Sequence, residues 1–70
     1  MLMSVATVVS RLADRIAQME TDAQRRTFWL VLCERAYETE GAERMFLLER
    51  NARLATELRE RGIDLWDSQA

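Results

Sequence analysis

Ile16-Ala-Gln-Met-Glu-Thr-Asp-Ala-Gln24 can be read in two ways, and the fold turns on the choice. Read as part of a periodic seam, it is the middle of one long helix. From Val5 onward, apolar or small residues recur at Val5, Val9, Leu12, Ile16, Met19, Ala23, Leu30, Cys33 and Tyr37 in alternating steps of four and three, and only Arg26 interrupts them. Such spacing predicts a helix over about residues 4 to 39, which at ~1.5 Å per residue would be roughly 54 Å long. Read as punctuation, Thr21-Asp-Ala-Gln24 is a capping box, with Thr21 as N-cap and Gln24 reaching back, and it starts a new helix. That alternative gives a three-helix chain with a break near Thr21. The seam keeps its phase across Glu20 to Gln24 and no glycine or proline stands there, so the sequence favours continuity.

Farther along, Gly41 is suited to the left-handed conformation that ends a helix. A second helix is expected over about 43 to 61, beginning near Ala42 or Glu43. Gly62 should close it, with Ile63 folding back on Leu58, and the tail should pack through Leu65 or Trp66 and fray from about Asp67. The expected fold is therefore all-α, a helical hairpin within a single domain spanning residues 1–70. On a helical wheel Leu47, Leu48, Ala52, Leu54, Ala55 and Leu58 form the apolar face of the second helix. Glu49, Arg53, Glu57 and Arg61 form a solvated edge in which each acid has an arginine four residues on.

Size then argues for association. A chain of 70 residues has a marginal core, its one cysteine allows no internal disulfide, and the absence of histidine removes the common zinc sites. A second helix of about 19 residues would cover only half of the long first one. The stripe Val5, Val9, Leu12, Ile16 and Met19 would be left bare, and the expectation that follows is a homodimeric helical bundle joined through those residues.

All ten basic residues are arginine, and twelve acids bring the net charge to −2. This balance disfavours a general nucleic-acid binder. The arginine bias fits a GC-rich coding sequence, and with the small size suggests a bacterium, a phage or another mobile element. The apolar start of the chain has no basic residue ahead of it, and the longest apolar run, Phe28 to Cys33, is six residues, so neither a signal peptide nor a membrane span is expected. A lone thiol fits the cytoplasm.

Catalytic chemistry finds little support in these residue types. Glu34 and Glu38 share a face one turn apart but lack the histidines of helical di-metal sites, and Cys33 lies in the seam as a small core residue. No cofactor or metal is implied. Asn51 falls inside the apolar face of the second helix and needs a partner there, with Arg44 and Arg59 near the same side.

Of the six-residue apolar run, Trp29, Leu30, Leu32 and Cys33 are expected to face the second helix and the dimer partner, together with Ala36 and Tyr37. Phe28 and Val31 instead point into the sector of Gln24, Glu34, Arg35 and Glu38, and Phe46 lies on the polar side of the second helix. An apolar anchor rimmed by mixed charge is the usual anatomy of a protein contact. The sequence thus points to a small non-catalytic interaction protein, an adaptor, chaperone or inhibitor that occupies a surface of a larger protein through Phe28, Val31, Arg35 and Phe46. The alternative is a dimeric nucleic-acid-binding regulator using Arg11, Arg15, Arg25 and Arg26 of the long helix.

Overall fold

Three α-helices follow one another in the structure, a computed structural model that describes residues 4–65: α1 (Val5–Ala17), α2 (Asp22–Glu38) and α3 (Gly41–Glu60). The described residues contain no strand. The long first helix is not formed, which corrects the favoured reading of the seam; the chain leaves helical geometry between Gln18 and Thr21.

The local chemistry of that break is complete without a glycine. Thr21 adopts extended backbone (φ −129°, ψ 155°), and its hydroxyl accepts from the Gln24 amide at 3.1 Å. The Gln24 side-chain oxygen in turn accepts from the backbone amides of Thr21 (3.2 Å) and Glu20 (3.0 Å). Arg25 closes the other side by donating to the Met19 carbonyl at 2.7 Å. The amides of Glu20, Thr21 and Gln24 and the Met19 carbonyl, which a helix break would otherwise strand, are thereby satisfied. What tips the balance is burial. An unbroken helix leaves the apolar stripe of residues 5–19 in water, whereas a turn at 18–21 lays it on α3.

α1 packs mainly on α3, α2 packs on α3 as well, and α1 meets α2 least. Val9, Ala13 and Ile16 of α1, Trp29 and Leu32 of α2, Leu54 and Leu58 of α3, and Leu65 form one buried cluster. Val5 and Leu12 pack against it. Four of the five residues expected at a dimer seam are therefore occupied within one chain, and Met19 lies in the α1–α2 connection. The bare seam that motivated self-pairing is covered by α3. An Asp14–Arg61 ion pair of 2.9 Å joins the end of α1 to the end of α3, and Arg61 also reaches Glu57 at 3.0 Å.

Both glycines turn the chain with positive φ. Gly41 (φ 71°) does so as the first residue of α3, two positions earlier than expected, while Thr39 donates to the Arg35 carbonyl at 2.7 Å and finishes α2. Gly62 (φ 84°) ends α3 as expected: the Ile63 amide donates to the Leu58 carbonyl at 2.8 Å and the Gly62 amide to the Arg59 carbonyl at 2.9 Å. This is the double bond of a Schellman cap, and Ile63 packs on the core beside it. Leu65 is buried; the expectations for Trp66 and for the residues from Asp67 on lie outside the described residues.

Candidate partner-binding surface

The apolar arc of α2 is narrower than the wheel implies. Its buried residues are Trp29, Leu32 and Ala36, whereas Leu30 and Tyr37 are 54% and 70% exposed. They were expected to face α3 and a dimer partner; within one chain α3 does not cover them. On α3, Leu47, Leu54 and Leu58 are buried while Leu48 and Ala52 are exposed. Tyr37 meets Arg44, whose guanidinium lies 5.8 Å over the ring. On α2, Leu30 shares a helix side with Tyr37, and on α3 Leu48 stands one turn on from Arg44; both leucines are exposed.

Phe28 is two residues before Leu30 and so lies on a different side of α2. Its ring packs against the core and is capped by the Arg15 guanidinium at 5.6 Å, which ties α1 to α2. Val31, at 51% exposure, points away from the core. Between them runs an open groove of about 580 Å³, lined by Met19, Ala23, Gln24, Thr27, Phe28 and Val31. A second groove, about 380 Å³ and lined by Val31, Glu34, Arg35, Glu38 and Thr39, continues along the same helix. Val31 belongs to both, so they form one strip on the outward side of α2: apolar near the α1–α2 connection, and charged toward the end of the helix.

Three of the four expected anchors, Phe28, Val31 and Arg35, therefore come together on this strip, with Phe28 partly engaged in the core. Phe46, 40% exposed on α3, lines neither groove. Met19 was expected in a dimer seam; the break at residues 18–21 carries it to the head of the strip.

The arginines of the alternative reading are split between two helices. Arg11 and Arg15 lie on α1, and Arg15 is occupied by Phe28. Arg25 pairs with Asp22 at 2.6 Å and with the Met19 carbonyl, and both Arg25 and Arg26 are partly buried. A continuous phosphate-binding stripe along one long helix is not available to them.

Asn51 has its partners. Its side-chain amide donates to the Leu32 carbonyl at 3.2 Å, and its Oδ1 accepts from Arg50 Nε at 3.1 Å and from Arg50 Nη2 at 3.0 Å. Neither Arg44 nor Arg59, the neighbours expected from sequence, supplies these bonds; Arg50 does. Spacing carried the signal for Arg50, since it stands three residues after Leu47 and four before Leu54, inside the apolar seam of α3.

Cys33 is half-buried and packs against the core. Burial pushes its thiol above the ordinary value and outweighs the Arg50 guanidinium, which pulls in the other direction. The thiol form is thus favoured over the nucleophilic thiolate. Among the described residues no three potential ligands gather into a metal-holding group, and no helix is long and apolar enough to cross a membrane. The chain matches no protein-family model, and no curated protein or solved structure is similar to it at a significant level.

Proposed function

We propose that this chain is a non-catalytic protein-interaction module, an adaptor, chaperone or inhibitor, that occupies a surface of a larger protein with the outward strip of α2. The observation that carries the reading is the apolar groove at Met19, Phe28 and Val31, which continues into the mixed charges of Glu34, Arg35 and Glu38. An apolar centre excludes water and supplies affinity, while a charged margin sets orientation. Val31 has little else to do: it faces away from the core and helps no helix pack. Self-association is a second reading, now through the exposed Leu30, Tyr37 and Leu48.

Immobilised protein and a nuclease-treated lysate of the source cells test both readings. Val31→Glu should reduce capture of the bound protein by about 100-fold, roughly the 2–3 kcal/mol lost at a central anchor, with the helical circular dichroism unchanged. Leu30→Glu, on the other side of the helix, should leave capture intact, and a fall in its sedimenting mass relative to the native chain would mark Leu30 as part of a self-association surface. Capture that survives Val31→Glu, or that disappears with nuclease alone, contradicts the proposal.

A further inference from the structure

Arg50 is the buried charge that the fold does not explain. Only 9% of its surface is exposed, yet it takes part in none of the ion pairs formed among the described residues. The Arg35 guanidinium makes matters worse by repelling it; burial and then Arg35 both lower its proton affinity. Leaving a guanidinium desolvated without a counter-charge is unfavourable, and packed interiors normally supply a carboxylate.

The geometry of its hydrogen bonds says which part of the group is still available. A guanidinium carries five N–H donors in a planar fork. The side edge, Nε with Nη2, is used on the single oxygen of Asn51, and Asn51 is itself held by the Leu32 carbonyl. The outer edge, Nη1 with the second hydrogen of Nη2, donates to no group among the described residues. Nη1 is not among the buried atoms left without a partner, so that edge reaches the surface. An outer guanidinium edge is matched by the two oxygens of a carboxylate.

We propose that Arg50, oriented by Asn51 and reinforced by Arg35, is a receptor for one carboxylate of the bound protein, an Asp or Glu side chain or a chain terminus. The inference rests on the reading of the chain as a protein-interaction module and names the chemistry of the group it grips. A single carboxylate suits the surroundings better than a polyanion. Glu34 and Glu38 flank Arg35 along the same groove, and the chain as a whole carries a charge of −2, so an extended run of phosphates would meet repulsion on either side.

The site is testable without the partner. In protein labelled with ¹⁵N-arginine and ¹⁵N-asparagine, the Arg50 Nε–H resonance is followed while sodium glutarate replaces sodium chloride at constant ionic strength, with exposed Arg11 as the internal control. A saturating shift of the Arg50 Nε–H several-fold larger than the drift at Arg11 is the expected result. The Asn51 side-chain amide, whose oxygen is bonded to Arg50, should move with it in the native chain but not in Arg50→Lys, which keeps the charge but not the fork. A drift equal to that of Arg11, no shift, or saturation only when inorganic phosphate is the probe overturns the carboxylate site. The Arg50→Lys chain should also lose at least tenfold in partner capture while keeping its helical content. Should the titration fail while capture remains sensitive to Val31→Glu, the carboxylate site falls and the interaction reading stands.

Discussion

Leu54→Ala is expected to be the most damaging single truncation in the molecule, with a loss of about 3 to 4 kcal/mol of unfolding free energy in urea denaturation. The side chain is fully buried and belongs to the cluster fed by all three helices, so removing it opens a cavity that α1, α2 and α3 all line. Nor can the site collapse easily, because Ile16 and Leu58 beside it in the cluster are also fully buried and already fixed by packing. A core of this size rarely supplies more than about 3 to 5 kcal/mol in total. The variant should therefore be largely unfolded at room temperature. A loss below about 1 kcal/mol would mean that α1 does not close over α3.

Asn51→Ala should cost about 2 to 4 kcal/mol, although it removes only a small polar group. Three hydrogen bonds disappear together: the one to the Leu32 carbonyl that links α3 to α2, and both that Arg50 makes. Two guanidinium donors are then stranded in a buried position, and each stranded group carries its full desolvation penalty. Asn51→Asp separates the two parts of the effect. It loses the donor to Leu32 but offers Arg50 a counter-charge, and should recover a clear fraction of the stability lost in the alanine variant at neutral pH. Equal losses in the two variants would show that Asn51 acts through Leu32 alone and that Arg50 is indifferent to its neighbour.

These expectations also show how far the sequence could be read. The Gly62 cap with Ile63 folded back on Leu58, the outward direction of Val31, and the need of Asn51 for a partner all follow from local spacing, and local spacing is what a sequence displays. The break at residues 18–21 was visible as well, in Thr21 and Gln24, but was outweighed by a seam that keeps its phase. Phase is a property of one helix taken alone. Whether Val9 and Ile16 continue a seam or turn back depends on α3, where Leu54 and Leu58 offer a surface for them to cover. Tertiary burial decided the matter, and no local signal reports it.

The same limit explains why Met19 leaves the seam and why α3 does not cover Leu30 and Tyr37. A helical wheel gives directions from one axis, and the width of the buried arc depends on how many neighbours the helix has. With α1 meeting α2 only slightly, α2 buries a narrow face, so residues at its margin are left uncovered within the chain. Arg50 carries a local signal as well, since a charge between Leu47 and Leu54 in an apolar seam is as unusual as the asparagine beside it.

The functional reading depends on α1 folding back within its own chain, because only then does Met19 join Phe28 and Val31 at the head of the outward strip. Methyl NOEs in an equimolar mixture of ¹³C-labelled and unlabelled protein measure that directly. The account predicts strong contacts between the Val9 and Ile16 methyls of α1 and the Leu54 and Leu58 methyls of α3 within labelled chains, and none between a labelled chain and an unlabelled one. Contacts that pass between chains, or helical amide NOEs running without interruption from Ala17 through Asp22, would restore the long helix and remove the surface on which the proposed function is built.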